Sequence, residues 1–138
     1  MIHLEHLNLV VSNMDKALAF YQAAFPHWRV RGGGHQNWYG TERNWLHFGD
    51  DYNYLALNDN GQQRNRDLNS NDVGLAHFAF VTDNLDALID RLQAAGFAPI
   101  KGGNSPYRSN VYFIDADGYE VEFVQYHSDI PAQRNHYQ

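Results

Sequence analysis

Polar and apolar residues alternate in two short stretches of the chain, residues 3–11 and residues 76–81. Each stretch places apolar side chains on one side and a histidine, His6 or His77, on the other. A period of two residues is typical of a β-strand with one face packed on a core. We therefore expect two strands whose second face is polar or holds a ligand.

An amphipathic helix is predicted after each of these strands, because apolar residues recur there at helical spacing. Pro26 ends the first helix, Asp83 is expected to cap the second, and Gly96 suits the position just after it. The first helix has three candidate capping residues: Ser12, Asn13 and Asp15. The apolar stripe of the second helix consists of Leu85, Leu88, Ile89, Leu92 and Ala95.

Short strands and turns are predicted for the remainder of each half. The segments of the first half are a glycine loop or bulge at residues 32–34 and strands over residues 45–48 and 52–57. Those of the second half are a strand near residues 98–101, a loop over residues 102–106, and a hairpin of residues 111–114 and 120–126. Each half thus has the order β-α-β-β-β, which predicts a mixed α+β fold.

The two halves are related by an internal repeat with an offset of 71 residues. His6 falls on His77 and Asn13 falls on Asn84. Two copies are too few for a solenoid and indicate two equivalent half-modules that share a core. The predicted single domain of residues 1–138 comprises a first module (1–58), a polar linker (59–73), a second module (74–127) and a polar tail (128–138).

Composition narrows the range of functions. The chain has 138 residues and no cysteine, so disulfides and thiolate metal ligands are excluded. The formal net charge of −6, without any basic run, argues against a nucleic-acid partner. No apolar run approaches the roughly 20 residues of a membrane span, and no signal segment is visible. We expect a cytoplasmic protein that does not bind membranes and takes a small-molecule substrate.

Three residues on the polar strand faces could bind a metal ion: His6, His77 and Glu122. An unpartnered carboxylate on such a face is costly, and a divalent cation would remove that cost. Two imidazoles and one carboxylate with open coordination positions suit Fe(II), Mn(II), Ni(II) or Zn(II). The matching repeat positions of the two histidines favour this interpretation over separate hydrogen-bonded or solvated side chains.

The chain resembles the vicinal oxygen chelate superfamily, which contains glyoxalase I, fosfomycin-resistance thiol transferases, extradiol ring-cleaving dioxygenases and bleomycin-binding proteins. The resemblance is carried by residues 6–21, by the His77 strand with its helix, and by residues 115–123. The last segment is similar to the family's Asp-Pro-Asp-Gly hairpin and its glutamate, with Ala116 where proline is usual. The resemblance implies two βαβββ modules that form a curved mixed sheet around a metal cavity, with His6, His77 and Glu122 as ligands, and a homodimer.

The sequence departs from the glyoxalase I pattern at one position, and this departure bears on which reaction is expected. Glyoxalase I has a fourth ligand, a glutamate in the last strand of the first module. Alignment on the turns places Leu55 there, and the gap-free offset pairs Glu122 with Asp51, which is predicted to lie in a turn. Three ligands are more similar to the thiol transferases and ring-cleaving enzymes. Residues 101–105 resemble the cation-binding loop of the fosfomycin enzymes, and Tyr112 lies near the position of a catalytic or substrate-binding tyrosine in both groups.

The expected function is that of a divalent-metal lyase, thiol transferase or ring-cleaving dioxygenase that chelates adjacent oxygens of its substrate, with Tyr112 or His47 moving a proton. The alternative is a metal-free binding protein of the bleomycin-resistance type, which holds a planar ligand between aromatic rings. A third interpretation is a stable fold in which these histidines and this glutamate only bond to each other. Expected pocket residues include Trp28, Trp38, Trp45, Tyr52, Tyr54 and Tyr107.

Overall fold

A computed structural model describes residues 1–137. The chain divides into two compact units, one from Met1 to Arg64 and the other beginning at Asn65. Each unit contains one four-stranded sheet and one main helix within this described range.

The first unit builds its sheet from a parallel edge pair and an antiparallel hairpin. Its elements are β1 (His6–Val10), α1 (Met14–Ala24), β2 (Arg29–Trp38), β3 (Thr41–Gly49) and β4 (Tyr54–Asn58). The strand order is β1-β4-β3-β2, with β1 and β4 parallel and the other neighbours antiparallel.

The second unit repeats this topology. Its elements are β5 (Phe78–Val81), α2 (Leu85–Ala94), β6 (Lys101–Ser105), β7 (Arg108–Ile114), β8 (Glu120–Tyr126) and a short α3 (Pro131–Arg134). The order is β5-β8-β7-β6, again with one parallel pair and two antiparallel pairs. The α+β class and the two βαβββ modules predicted from the sequence are confirmed.

The register of the parallel pairs shows which positions correspond between the units. Asn8 lies opposite Ala56 in the first unit, and Ala79 lies opposite Glu122 in the second. Since Asn8 and Ala79 each come two residues after the repeated histidine, Ala56 is the counterpart of Glu122. The alignment that placed Leu55 there was wrong by one residue, because it was anchored on turns of different length.

Apolar side chains on one face of each sheet form the cores. Leu9 and Val11 of the first unit are buried with Phe20 and Tyr21 of α1. In the second unit α2 packs against β8 through a stripe at helical spacing. The buried members of that stripe are Leu85, Leu88 and Leu92. The predicted apolar face of this helix is thus confirmed at its three leucines, whereas Ile89 is half-buried and Ala95 is exposed at the C-cap. The opposite face of the sheet is left for polar side chains.

Both main helices begin with an asparagine cap. The Asn13 side chain accepts a hydrogen bond from the Lys16 backbone N–H, and the Asn84 side chain accepts one from that of Ala87. The prediction that Asp83 caps the second helix was wrong by one residue, since the cap is the residue whose side chain reaches the free N–H groups of the first turn.

Two glycine-rich stretches form strands, where a loop or bulge was expected at residues 32–34 and a loop at residues 102–106. Residues 32–34 lie within β2, beside a bulge between Val30 and Gly32. A Cβ on Gly33 would lie 2.6 Å from the Trp45 carbonyl oxygen. Similarly, residues 102–105 belong to β6, where a Cβ on Gly102 would lie 2.8 Å from the Asn110 oxygen. These glycines allow close approach of neighbouring strands, a role that local turn propensity does not predict.

None of the helices in the described part of the chain has the length and hydropathy that a membrane crossing requires.

Candidate functional site

The second unit brings two of the predicted metal ligands together. His77 lies immediately before β5, and Glu122 lies on the central strand β8. Nε2 of His77 is 3.7 Å from Oε1 of Glu122. The Glu122 side chain is 13% exposed and the His77 side chain is 41% exposed, so both side chains lie on the polar face of this sheet.

The Glu122 carboxylate is held by two neighbours on β7. Nδ2 of Asn110 donates a 2.8 Å hydrogen bond to Oε2 of Glu122, and the Tyr112 hydroxyl donates to the same carboxylate. Burial, followed by this hydrogen bond, raises the pKa of Tyr112. The Tyr112 ring also meets the His77 ring edge-on, with centroids 5.5 Å apart. Tyr112 is therefore a protonated donor at neutral pH, and Oε1 of Glu122 is left facing the imidazole.

A second carboxylate, Glu120, lies behind the imidazole. Its Oε1 is 4.0 Å from Nδ1 of His77 and 3.3 Å from Nζ of Lys101. The same ammonium group lies 4.5 Å from the centre of the Tyr112 ring. Glu120 was not among the site residues predicted from the sequence. The available signal was the Glu-Val-Glu alternation, which places Glu120 and Glu122 on one face of a strand.

A depression of 330 Å³ adjoins this cluster on the same sheet. Its polar lining residues are Arg108, Asn110, Tyr112, Glu122 and Tyr126. Behind it, the guanidinium of Arg134 stacks on the Tyr126 ring at 3.8 Å. Together with Lys101, these cations balance the two glutamates and make the surroundings suitable for an anionic group.

His6, the predicted ligand in the first unit, is oriented by its neighbours. Its Nδ1 is 2.9 Å from Oε1 of Glu5, and its ring stacks on Tyr54 with centroids 4.6 Å apart. The Tyr54 hydroxyl donates to the same Glu5 carboxylate. The hydrogen bond from His6 is the main cause of the lowered pKa of Glu5. His6 therefore has one ring nitrogen engaged, and its Nε2 is the nitrogen available to a ligand.

His47 continues this row of rings. It stacks on Tyr54 at 4.3 Å and lies 5.1 Å from the Trp45 ring, while the Arg31 guanidinium lies over Tyr54 at 4.6 Å. Burial is the main cause of the lowered pKa of His47, and the positive charges of Arg31 and His6 add to it. The imidazole is thus neutral at neutral pH, as a proton acceptor must be.

The structure corrects the list of expected pocket aromatics. Trp45 and Tyr54 adjoin His47, as described above. Trp28 instead stacks on Phe25 and meets the buried Phe48, so it belongs to the core of the first unit. Tyr52 is 78% exposed in the turn before β4. Trp38 lies under the Arg43 guanidinium at the end of β2, and Tyr107 packs edge-on against His136. Aromatic content alone did not distinguish these environments.

The geometry of His77 and Glu122 is compatible with a shared metal ion. Two ligand atoms at about 2.1 Å from one ion are about 3.0–4.2 Å apart, depending on the angle between the bonds. The observed 3.7 Å lies within that range. Within each unit, over residues 1–137, no group of three His, Asp or Glu side chains is arranged to hold a metal ion. Of the three predicted ligands, the second unit thus places two, His77 and Glu122, near each other.

The chain matches the family model of the Glyoxalase/Bleomycin resistance protein/Dioxygenase superfamily over residues 3–123. It belongs to that superfamily, and the resemblance inferred from the sequence is confirmed.

Similar solved structures include a glyoxylase/bleomycin resistance protein/dioxygenase domain from Frankia sp. EAN1pec, with 22% identity and a TM-score of 0.75 over 99% of both chains. A mutant of the fosfomycin resistance protein FosX from Listeria monocytogenes, in complex with Mn(II) and 1S,2S-dihydroxypropylphosphonic acid, has 22% identity and a TM-score of 0.67 over 97% of this chain and 98% of that one. The antibiotic binding protein TnmS3 from Streptomyces sp. CB03234 has 23% identity and a TM-score of 0.61 over 91% and 97%. At these identities the likeness shows the fold.

Proposed function

We propose that the protein is a divalent-metal enzyme whose substrate binds through two adjacent oxygen atoms. The observation that carries the proposal is the 3.7 Å separation of His77 Nε2 and Glu122 Oε1 on the polar face of the second unit. His6, with its free Nε2, is the proposed third ligand, from the same chain or from a second copy in a homodimer. A bound cation would act as a Lewis acid and stabilise negative charge developing on the chelated oxygens.

The surrounding residues have distinct proposed roles in this chemistry. Asn110 and Tyr112 fix the Glu122 carboxylate through their hydrogen bonds. Tyr112, with its raised pKa, keeps its proton at neutral pH, and its single O–H would turn from Glu122 to a substrate oxygen in order to donate to it. His47, with its lowered pKa, is the proton acceptor of the pair. These assignments keep acid and base roles on separate side chains.

The substrate class follows from the charges of the second unit. Lys101 is turned toward Glu120 and Tyr112, and Arg108 lines the adjacent depression. A small anionic substrate with adjacent oxygens would complement this face. The ligand of the FosX neighbour, a dihydroxypropylphosphonic acid held with Mn(II), has that character. Lyase, thiol transferase and ring-cleaving dioxygenase remain the reaction classes to be compared.

Metal titration of the metal-free protein tests the proposal. Calorimetry with Mn(II), Fe(II), Ni(II) and Zn(II) should show a site in the wild-type protein. In H77A, E122Q and H6A the affinity should fall by more than the roughly 10–100-fold that loss of an outer-shell partner costs. H35A is the matched control, because His35 is an exposed histidine that also pairs with a carboxylate, Glu42. Equal affinity in wild type and H77A would reject the proposal.

A metal-free binding function is the second candidate, and the row of stacked rings in the first unit favours it. Tyr54 stacks between His6 and His47, and the Arg31 guanidinium beside this row supplies a positive charge for an anionic planar ligand. Elemental analysis of protein purified without chelators distinguishes the two functions. A stoichiometric divalent metal supports the enzyme. Metal-free protein that binds planar ligands, and loses them in Tyr54→Ala, supports the binding module.

A further inference from the structure

Arg43 is a buried cation on the polar face of the first unit's sheet. The residue is only 8% exposed. Its Nε and Nη2 atoms are buried and, within residues 1–137, make no hydrogen bond. A guanidinium keeps its charge at any pH at which proteins fold, and a buried charge without a partner is strongly unfavourable. The position therefore calls for an explanation other than packing.

The indole of Trp38 covers this guanidinium. Cζ of Arg43 lies 3.6 Å from the centre of the Trp38 ring. Nε1 of Trp38 donates a 2.6 Å hydrogen bond to Oε1 of Gln36, which holds the indole in this position. A cation–π contact engages the face of a guanidinium but not the N–H groups along its edge. The Nε and Nη2 donors of Arg43 are thus left without an acceptor.

A further unsatisfied donor lies on the same sheet face. Trp45 follows Arg43 by two positions on β3, so both side chains point to one side from Cα atoms about 7 Å apart. Nε1 of Trp45 is buried and has no hydrogen-bond partner among the described residues. The Trp45 ring lies 5.1 Å from that of His47, where the row of stacked rings begins. Three N–H donors therefore face one end of that row.

The neighbouring strand leaves room beside these rings. Gly34 of β2 pairs with Trp45, and Gly32 pairs with His47. A Cβ at Gly34 would lie 3.2 Å from Nε1 of Trp45, whereas a Cβ at Gly32 would meet nothing within 4 Å. The part of β2 beside the two rings thus carries no side chain, and a flat ligand can lie there.

We propose that Arg43 and Trp45 form a receptor for the carboxylate of a planar ligand, and that Trp38 is a cover that moves aside when the ligand binds. The edge of a guanidinium matches the two oxygens of a carboxylate, and the indole N–H adds one donor. A phosphate has more oxygens than these donors satisfy. Trp38 lies at the end of β2, is 43% exposed and precedes the fully exposed Tyr39, so its indole can swing outward without displacing the core.

This receptor is built from the first unit alone and needs no metal. Benzoate titration of metal-free, ¹⁵N-labelled protein tests it, because benzoate combines one planar ring with one carboxylate. The indole N–H signals of Trp38 and Trp45 should shift, whereas that of Trp28 in the core should not. Benzyl alcohol, which lacks the carboxylate, should bind at least about 10-fold more weakly. No response to benzoate, an equal affinity for benzyl alcohol, or binding of inorganic phosphate in its place would overturn the inference.

Variants assign the response to Arg43. R43M should weaken benzoate binding at least about 10-fold, since it removes the charged donors. R29M is the matched control and should keep wild-type affinity, because Arg29 is an exposed arginine of the neighbouring strand that pairs with Asp51. W38A should bind benzoate at least as tightly as the wild type, because it removes the cover. Wild-type affinity in R43M, or weaker binding in W38A, would contradict the proposal.

The free energy of unfolding separates a ligand site from a structural cation. R43M removes a buried charge that lacks a partner, so without ligand it should be at least as stable as the wild type in urea. Benzoate should raise the unfolding midpoint of the wild type and leave that of R43M unchanged. An R43M protein that unfolds at lower urea concentration would show that Arg43 serves the fold through its contact with Trp38.

Discussion

His47 and His35 lie on neighbouring strands of the same sheet, yet their surroundings shift their pKa values in opposite directions. Burial, with the charges of Arg31 and His6, lowers the pKa of His47, while Glu5 opposes this shift. Hydrogen bonds to Asn44 and to Glu42 raise the pKa of His35. Histidine titrations followed by NMR should therefore place His47 below the ordinary value of 6.5 and His35 above it. Titration of His47 above 6.5 would contradict the described environment.

These shifts have opposite consequences for stability. Below pH 6.5 the unfolded chain protonates His47 more readily than the folded chain does, so acid destabilises the fold through this residue. The stabilisation from protonated His35 is complete below 6.5 and is lost as pH rises through its folded pKa. Between pH 6.5 and pH 5 the free energy of unfolding of H47Q, measured by denaturant titration, should decrease less than that of the wild type.

Tyr112 is the residue on which the proposed acid chemistry depends. Tyr112→Phe removes the hydroxyl but keeps the ring beside His77 and Lys101. Turnover of a substrate found in a panel of small anionic compounds should fall about 10²–10⁴-fold, the usual contribution of general acid–base catalysis. Tyr52→Phe, in an exposed turn, is the control and should keep full activity. An unchanged kcat in Tyr112→Phe would show that the Tyr112 hydroxyl takes no part in the reaction.

At the scale of single elements, the start of α2 depends on Asn84. Its side chain accepts from the backbone N–H of Ala87 at 3.1 Å. Asn84→Ala should lower the free energy of unfolding by about 1 kcal/mol, the typical value of an N-cap. Asp83→Ala, at the adjacent position that the sequence favoured, should cost less than about 0.5 kcal/mol, as surface substitutions usually do. Urea denaturation of both variants measures the difference, and equal losses would contradict the assignment of the cap.

The pairing of β2 with β3 depends on a glycine at position 33. A Cβ there would approach the Trp45 carbonyl oxygen to 2.6 Å, whereas a Cβ at Gly32 would meet nothing within 4 Å. Gly33→Ala should therefore destabilise the first unit by about 1–3 kcal/mol, as overpacking does. Gly32→Ala should be near neutral. Thermal melts of the two variants test this, and a similar Tm for both would mean that the strands move apart at little cost.

At the scale of the whole molecule, the proposed ligand set draws His6 from the first unit and His77 and Glu122 from the second. We predict a homodimer, to be measured by light scattering of the purified protein. Mixing H6A with H77A then separates two arrangements. Recovery of metal binding after dissociation and reassociation means that His6 reaches a site on a second copy. Without recovery, each chain completes its own site. A monomer that binds metal at wild-type affinity would contradict the dimer prediction.

The period-two and helical patterns determined much of the architecture without structural information. They predicted β1, α1, α2 and β8 closely, because apolar periodicity follows directly from which face of an element is buried. They were less successful at β2 and β6. Both strands are rich in glycine, and the reason for the glycine lies in a neighbouring strand. Local propensity therefore favoured loops where tertiary contacts require extended backbone.

The candidate site likewise combines features that the sequence predicted with contacts that only the structure shows. The repeat identified His6 and His77 as equivalent, and strand alternation placed Glu122 on the polar face. The sequence by itself thus determined the superfamily, the two modules and the proposed ligand types. Only the tertiary structure paired Glu122 with Asn110 and Tyr112 and brought Glu120 with Lys101 behind His77. Those contacts depend on the register between strands distant in sequence, which is set by packing across the sheet rather than by any local pattern.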